Sequence, residues 1–196
     1  MTRLLLIRHA ETELSNSVLL GRLPGIHLSQ NGVEQAKRLQ NRMPTHVSLV
    51  ITSPLERAEE TADILMDDLG LEPIIDEAFD ELNFGSWAGM RFQELDALTE
   101  WKAFNRTRTI ERAPGGENLR EVKKRVLSGI EHLLVSRKGE TIAVVTHGDV
   151  IRTALTHFAG SPLACFDRFR VDFASMTEIE VFPDGRPRIV SVNVQG

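Results

Sequence analysis

Three segments of the chain place cationic or imidazole side chains at the end of an apolar run or near a helix start. Arg8 and His9 end one apolar run, His147 follows another, and Arg57 lies near the start of a segment with helical spacing. Arginine is a permanent cation that binds oxyanions, and imidazole can attack an electrophile or transfer a proton. An anion is also favoured at the positive end of a helix dipole. These residue types predict a site for a phosphate ester.

Cleavage of such an ester also needs a carboxyl group, because an alkoxide is a poor leaving group that requires a proton as it departs. Glu81 is the best candidate, although spacing alone does not select it over Glu77 or Glu11. We therefore expect the proton donor to be one of these three side chains, with Glu81 first.

The elements that must position these residues have the pattern of an α/β protein. Residues 4–7, 49–52 and 142–145 are short, continuous apolar runs, which are typical of central parallel strands covered on both faces. In right-handed α/β units the carboxyl ends of such strands lie along one edge of the sheet. We therefore expect the polar segments that follow these strands to converge at that edge.

Helical spacing of apolar residues predicts four helices. Ser29 is expected to cap the first, and Ser53 the second, with Pro54 at its first position and Glu56 completing a capping box. Gly70 is expected to end the second helix. The apolar stripes are Val33, Ala36, Leu39 and Met43; Leu55, Ala58, Ala62, Leu65 and Leu69; Leu119, Val122, Val126, Ile130, Leu133 and Leu134; and, beginning near Asp149, Ile151, Ala154, Leu155 and Phe158.

The C-terminal part of the chain has a strand pattern. Residues 177–182 and 189–194 alternate apolar and polar side chains around the turn sequence at 183–185, which predicts a β-hairpin that extends the sheet. Residues 73–76 favour a short edge strand. The sheet is therefore expected to be mostly parallel, with an antiparallel addition at one side.

The least regular segment is residues 83–116, which we interpret as a lid or a substrate-shaping insertion. Its aromatic residues Phe92, Trp101 and Phe104 either stack on a base or sugar or pack as core, and core packing is the commoner role. No linker, repeat or low-complexity stretch interrupts the chain. We therefore predict a single domain over residues 1–196.

Composition narrows the function class. The chain has 196 residues, of which 41% are hydrophobic and 26% are charged, as in an ordinary soluble protein. Its net charge of -5 argues against a general nucleic-acid binder, because such proteins need a basic surface. Cys165 is the single cysteine, which fits a reducing compartment. The apolar run before Arg8 is too short for a signal peptide or a membrane span, so we expect a cytoplasmic protein with no membrane partner.

The motifs resemble those of the histidine phosphatase superfamily, which includes the cofactor-dependent phosphoglycerate mutases. Five blocks match in the family's order: Arg8-His9-Ala10-Glu11-Thr12, Ser53-Pro54-Leu55-Glu56-Arg57-Ala58, Glu81 with Phe84-Gly85-Ser86-Trp87-Ala88-Gly89, Pro114-Gly115-Gly116-Glu117, and Val145-Thr146-His147-Gly148. One block would be weak evidence, whereas five in order are strong. The resemblance implies a three-layer α/β/α sandwich with a mostly parallel central sheet.

The resemblance also implies roles for five residues. His9 would attack phosphorus and become phosphohistidine, and Arg8, Arg57 and His147 would hold the phosphoryl oxygens. Glu81 would protonate the leaving oxygen and then help to activate water. Because nearby cations disfavour the imidazolium, we expect the pKa of His9 to lie below about 6.5. The implied enzyme is a phosphomonoesterase of the histidine acid phosphatase type, acting on a small-molecule phosphate ester without metal or cofactor.

Several positions differ from the family pattern or have more than one interpretation. Ala10 replaces the usual Gly, and Ser15 stands where many members have Asn, with Asn16 directly after it. Either of the latter two could donate to phosphate, and Arg22 either contacts substrate or is solvated. Gly at a ligand site lets the backbone approach closely. The expected substrate-binding residues are Ser15, Asn16, Gly21, Arg22 and Gly148.

Hydrolysis is favoured over mutase chemistry because mutases are usually longer between the third and fourth blocks, where this chain has only residues 90–113. Phosphoglycerate mutase-type phosphoryl transfer at the same site is the main alternative. The basic residues of this stretch either hold a second anion or form a solvated face. They are Lys102, Arg106, Arg108 and Arg112.

Two further hypotheses come from other functional classes. His9, Glu11, Glu81 and His147 could ligate a hydrolytic metal, although the paired His-Glu spacings of common zinc motifs are absent. The fold could also serve as a non-catalytic binding module, since a fold does not guarantee activity. A homodimer is among the expected assemblies.

Overall fold

The computed structural model describes residues 1–196 and contains one six-stranded sheet. Its strands are β1 Thr2–Arg8, β2 Leu49–Thr52, β3 Ile74–Ile75, β4 Thr141–Thr146, β5 Ser175–Val181 and β6 Pro187–Gln195. Their order across the sheet is β3-β2-β4-β1-β5-β6. The first four run parallel to one another, β5 is antiparallel to β1, and β6 is antiparallel to β5. The predicted parallel core, short edge strand and sheet-extending hairpin are confirmed.

Helices cover both faces of the sheet. They are α1 Gln30–Gln40, α2 Glu56–Met66, α3 Phe92–Leu95, α4 Thr99–Arg106, α5 Leu119–Ser136 and α6 Gly148–Phe158. Leu5 and Ile7 of β1 pack with α1 and α2, whereas Leu4 and Leu6 pack with α5 and α6, because successive strand side chains point to opposite faces. The three-layer α/β/α architecture is therefore confirmed. None of the helices combines the length and apolar character that a membrane span needs.

The start of α2 differs from the prediction. Ser29 caps α1 as expected, since its side chain accepts a hydrogen bond from an amide of the first turn at 3.0 Å. The prediction that Ser53 caps the next helix is wrong: α2 begins at Glu56, and its N-cap residue Leu55 gives no side-chain cap. The Ser53 hydroxyl lies instead 2.7 Å from Nε2 of His147. A residue suited to capping is thus used to hold a histidine at the sheet edge.

The segment at residues 83–116, which was expected to be an irregular lid or insertion, contains two helices. Both α3 and α4 lie within it, and Trp87, Trp101 and Phe104 are buried. The rings of Trp101 and Phe104 stack with their centroids 6.0 Å apart. This segment is therefore part of the apolar core, which fixes the side chains it presents to the site.

Candidate active site

A cavity of about 230 Å³ lies where β1, β2 and β4 end. Arg8 pairs in register with Thr146 of β4, and Val145 pairs with Thr52 of β2, so the segments after these strands are neighbours. Two predicted site residues, His147 and Arg22, lie outside the cavity lining. The eight that line it are Arg8, His9, Ser15, Asn16, Gly21, Arg57, Glu81 and Gly148.

His9 is held so that one ring nitrogen stays free. Its Nδ1 lies 2.8 Å from the carbonyl oxygen of Ala10, and its amide donates to Thr146 at 2.8 Å. Because a carbonyl oxygen can only accept, Nδ1 carries the proton and Nε2 keeps its lone pair. Burial, followed by the charges of Arg57 and Arg8, lowers the pKa of His9 well below 6.5. The expected downward shift is confirmed, with burial as its larger cause.

Arg8 and Arg57 bring positive charge to the cavity together with unused hydrogen-bond donors. Arg57 is 1% exposed and donates from Nη2 to the carbonyl of Gly21 at 2.7 Å, while its Nε and Nη1 are buried without partners. Arg8 donates from Nη1 to the carbonyl of Val171 at 2.7 Å, and its Nε is also buried without a partner. Burial lowers the pKa of Arg8 to about 10, which leaves it charged at neutral pH. Buried donors without a hydrogen-bond partner are destabilising, and an oxyanion in the cavity would accept hydrogen bonds from them.

Phe173 is a cavity residue that the sequence analysis missed. The guanidinium carbon of Arg8 lies 3.8 Å from the centroid of its ring, and its ring is 5.5 Å from that of His9. The next residue, Ala174, has a φ of 47° and donates its amide to the carbonyl of His9 at 3.2 Å. Phe173 therefore supports both the cation and the imidazole. It precedes β5 in a segment without periodicity, so no sequence signal pointed to it.

His147 lies beside the cavity, next to His9. It is fully buried, its ring centroid is 5.1 Å from that of His9, and its Nε2 shares the hydrogen bond with Ser53. Burial and the charge of Arg57 lower the pKa of His147 well below 6.5, so the ring is neutral. Nδ1 is buried without a partner. The hydroxyl proton of Ser53 has two acceptors, Nε2 of His147 at 2.7 Å and Oδ1 of Asp80 at 3.3 Å. When it goes to the nearer Nε2, Nδ1 of His147 carries a proton that it can donate to an anion.

Among the three carboxyl groups considered from the sequence, Glu81 is the one that lines the cavity. Glu11 accepts hydrogen bonds from side chains of α1, and Glu77 lies in a short turn after β3. Burial, followed by the charge of Asp149, raises the pKa of Glu81 to about 7. A carboxyl group with such a pKa exists in both protonated and ionised forms near neutrality, as a general acid and base must.

Arg22 is corrected from a substrate-binding residue to a residue that holds Glu81. Its Nε donates to the carbonyl of Glu81 at 2.7 Å, and its Nη2 donates to Glu117 at 2.9 Å. Arg125 of α5 donates to the same carbonyl at 3.0 Å and to both oxygens of Glu117. The carboxylate of Asp80 accepts the Glu81 amide at 2.9 Å. We call Arg22, Asp80, Glu117 and Arg125 the Glu81 clamp: the two arginines bind the carbonyl of Glu81, Asp80 binds its amide, and Glu117 holds the two arginines.

The structure also distinguishes the two candidates in the loop after β1. The Ser15 hydroxyl accepts from the Thr12 amide at 2.9 Å and lies 3.0 Å from the Thr12 hydroxyl. Asn16 has a φ of 66° and makes no side-chain hydrogen bond within the protein. Asn16 is therefore the side chain that is free to donate to a ligand. At Gly148, a Cβ would lie 3.5 Å from the guanidinium of Arg8, an ordinary contact distance, so steric conflict does not require glycine at this position.

Of the four basic residues between 102 and 112, Arg108 alone lines the cavity. Arg112 forms an ion pair with Glu121, and Lys102 and Arg106 are exposed. The interpretation as a solvated face holds for those three, whereas Arg108 belongs to the site.

Asp149 and Arg152 of α6 also line the cavity and were missed. Arg152 follows Gly148 by one helical turn, a spacing that places both on the same side of α6. This spacing could have identified Arg152 as a site residue from the sequence. Asp149 carried no signal of its own beyond its place next to the His147-Gly148 pair.

The structure does not support the hypothesis that His9, Glu11, Glu81 and His147 bind a metal ion. No three His, Cys, Asp or Glu side chains lie together in a way that could hold a metal ion. Glu11 bonds to α1 and His147 bonds to Ser53, so two of the four named residues are directed elsewhere.

Comparison with known proteins agrees with the five sequence blocks. The family model of the histidine phosphatase superfamily (branch 1) matches residues 4–195. The chain is 31% identical over 199 residues to bifunctional protein Rv2228c of Mycobacterium tuberculosis, with 100% of this chain and 54% of that protein covered. The chain thus spans about half the length of this relative.

Two phosphatases match over nearly their whole length. Phosphoserine phosphatase 1 of Hydrogenobacter thermophilus is 30% identical over 203 residues, covering 99% of this chain and 93% of that protein. The crystal structure of the alpha-ribazole phosphatase from Shigella flexneri superposes with a TM-score of 0.89 at 27% identity, covering 98% of this chain and 96% of that one. The fold of this chain is therefore similar to that of a known phosphatase, and its sequence is related to that of another.

Proposed function

The chain belongs to the histidine phosphatase superfamily of phosphoryl hydrolases and transferases, and on that premise we propose that it is a phosphomonoesterase that forms a phosphohistidine on His9. The observation that carries the proposal is the neutral imidazole of His9, with Nε2 free, in a cavity that holds two buried guanidinium groups with unpaired donors. A nucleophile beside fixed oxyanion donors is what phosphoryl transfer requires. The proposed substrate is a small phosphate ester, and the proposed steps use no metal or cofactor.

In the first step, Nε2 of His9 attacks phosphorus, and the bond between phosphorus and the ester oxygen breaks. Protonated Glu81 donates its proton to the leaving oxygen, so that an alcohol departs. Arg8 and Arg57 donate to the phosphoryl oxygens and stabilise their charge in the transition state. When Ser53 donates to Nε2 of His147, the Nδ1 of that ring adds a neutral donor.

In the second step, water attacks the phosphorus of the phosphohistidine. Glu81, now ionised, accepts a proton from this water, and the bond between His9 and phosphorus breaks. Inorganic phosphate leaves, while His9 and Glu81 return to their starting protonation states. The net reaction converts an ester and water into an alcohol and phosphate.

Transfer to an alcohol in place of water would make the protein a phosphoglycerate mutase-type enzyme. We favour water because mutases of this superfamily are usually longer between the third and fourth sequence blocks, where this chain has only residues 90–113. Product analysis with 3-phosphoglycerate separates the two reactions. Release of free phosphate supports the phosphatase, and accumulation of the 2-phospho isomer without phosphate release supports the mutase.

The proposal is tested by phosphate release from a panel of monoesters without added metal. Phosphoserine and alpha-ribazole phosphate are included because relatives are phosphatases named for them. Wild-type protein should release phosphate, His9→Ala should lose this activity, and His46→Ala, at an exposed histidine, should keep it. Full activity in His9→Ala would contradict the proposal.

A further inference from the structure

The cavity holds a second pair of guanidinium groups that the proposed phosphoryl transfer does not use. Arg108 follows α4, and Arg152 lies on α6. The buried carboxylate of Asp149 joins them, with Oδ2 3.0 Å from Nη1 of Arg108 and Oδ1 3.2 Å from Nη1 of Arg152. One carboxylate thus holds two cations in the wall of the cavity.

Both arginines are fixed by further contacts. Nε and Nη2 of Arg108 donate to the side-chain oxygen of Asn105, and Nε of Arg152 donates to the carbonyl of Phe169 at 3.1 Å. Nη2 of Arg152 takes part in none of the hydrogen bonds within the protein, and the side chain is 30% exposed. Arg152 therefore offers a positioned, unused donor to whatever occupies the cavity.

The charges of the cavity exceed those of a phosphate ester. Four guanidinium groups line the cavity, those of Arg8, Arg57, Arg108 and Arg152. Of the two carboxyl groups in the lining, Asp149 pairs with Arg108 and Arg152, and Glu81 carries a proton before the first proposed step. A phosphate ester dianion neutralises two of the three surplus charges. One positive charge remains, and it lies at Arg108 and Arg152, which share the carboxylate of Asp149.

The spacing lets one small molecule reach both anion sites. The point where a Cβ would stand on Gly148 is 3.5 Å from the guanidinium carbon of Arg8 and 3.8 Å from Nη1 of Arg152. Phe92 and Trp101 limit the room beyond. The site therefore fits an ester in which a few bonds separate the phosphate from its second charged group.

From this arrangement we propose that the substrate is a small phosphate monoester carrying a carboxylate, which Arg152 and Arg108 bind while Arg8 and Arg57 bind the phosphate. A carboxylate supplies the single negative charge that the cavity lacks, and its planar oxygens match a guanidinium. A second phosphate would add more charge than the site can neutralise. This inference rests on the proposed phosphatase function and adds its substrate class.

Matched pairs of esters test the proposal. O-phosphoserine and O-phosphoethanolamine differ by a carboxylate, as 3-phosphoglycerate and glycerol 3-phosphate differ by a carboxylate in place of a hydroxymethyl group. In wild-type protein, kcat/KM should favour the carboxylate member of each pair by about 10- to 100-fold, the size of a charged hydrogen-bonded pair. In Arg152→Gln this preference should largely disappear, because kcat/KM should fall much more for the carboxylate member of each pair than for its partner. Arg106→Gln, an exposed arginine of α4, is the matched control.

Binding to His9→Ala by calorimetry gives a second measurement that does not depend on turnover. The carboxylate ester should bind more tightly than its partner, and Arg152→Gln should abolish the difference. Equal affinities, or an equal loss for both esters in Arg152→Gln, would overturn the subsite. Equal kcat/KM values for glycerol 3-phosphate and 3-phosphoglycerate in wild-type protein would overturn the subsite but not the phosphatase function. Failure to hydrolyse any ester overturns the phosphatase function, and the binding comparison then decides the subsite.

Discussion

The environment of His9 suits its proposed role as a nucleophile, as a comparison with another histidine of the chain illustrates. His27 is exposed beside Glu60, whose carboxylate raises the pKa of His27 and favours the imidazolium. His9 is buried near Arg57 and Arg8, which lower its pKa, and its Nδ1 is bound to a carbonyl oxygen. The same side chain is thus favoured as a cation in one place and held as a neutral imidazole with a free nitrogen in the other.

Replacement of Glu81 tests its role as proton donor. In Glu81→Gln, we expect kcat for an alkyl phosphate to fall by about 10²- to 10⁴-fold, the usual contribution of a general acid. Hydrolysis of p-nitrophenyl phosphate should fall much less in its first step, because nitrophenolate leaves without a proton. A burst of nitrophenolate in rapid-mixing experiments measures that step. Equal losses for both esters would show that Glu81 does something other than protonate the leaving group.

The raised pKa of Glu81 predicts how activity depends on pH. Because the first step needs the protonated carboxyl group, kcat/KM for an alkyl phosphate should decline as pH rises through about 7. His9 adds no ionisation near neutrality, since its pKa lies well below 6.5. A pH profile that stays flat from 6 to 9 would contradict this assignment.

The raised pKa of Glu81 also predicts that the free energy of unfolding falls as pH rises. Burial raises the pKa of Glu81 from its usual 4.5 to about 7, so the folded protein binds a proton that the unfolded chain lacks between these values. Its contribution to the free energy of unfolding is complete below pH 4.5 and is lost as pH rises through about 7. Urea unfolding should show Glu81→Gln gaining about 2 to 3 kcal/mol relative to wild type between pH 4.5 and 8. A parallel pH dependence of the two proteins would exclude this linkage.

At the scale of elements, the Glu81 clamp connects α5 to the proposed proton donor. Arg125 binds the carbonyls of Ala78, Asp80 and Glu81, and Glu117 holds its guanidinium. Segment 78–81 has no regular structure beyond a short turn, so these bonds replace the ladder that would fix a strand. The position of Glu81 therefore depends on a helix that contributes no atom to the cavity lining.

Loss of the clamp should act through the proton donor. Arg125→Gln should lower kcat for an alkyl phosphate by about 10-fold or more, because small displacements of a catalytic group are costly. Arg125→Lys should recover part of that loss, and Lys124→Gln, at an exposed neighbour on α5, should match wild type. The nitrophenolate burst should be nearly unchanged in Arg125→Gln. A loss of equal size in the burst would indicate general disruption of the site.

Sequence patterns predicted the elements better than the contacts between them. The apolar runs and the Ser29 cap depend on local spacing, and both are confirmed. The roles of Ser53 and Arg125 depend on partners 94 and 44 residues away, His147 and Glu81, which no local pattern contains. Arg22 was likewise expected to bind substrate, because nothing near it in the sequence indicates that its partner is Glu117.

At the scale of the whole molecule, the fold concentrates positive charge in an acidic chain. The net charge is -5, yet the cavity is lined by four arginines. They come from β1, α2, α6 and the segment after α4, so the sheet order β2-β4-β1 is what brings them together. A single domain over residues 1–196 stays a prediction, as does the assembly state. The concentration of arginines does not depend on either.

This arrangement predicts that activity does not require a metal ion. The arginines supply the positive charge that a Lewis acid would otherwise supply to the phosphoryl oxygens. Phosphate release should therefore stay within about twofold of its starting value after prolonged dialysis against a chelator and removal of that chelator. Loss of activity that returns with a divalent cation would show that the cation takes part.

The phosphohistidine is the most direct test of the whole account. Wild-type protein mixed with a ³²P-labelled ester and quenched within milliseconds should carry label that is stable in base and labile in acid, at His9 by peptide mapping. His9→Ala should carry none, whereas Glu81→Gln should retain label from a nitrophenyl ester, because the water step is slowed. Label on another residue, or phosphate release by wild type with no labelled protein at any time point, would contradict the account.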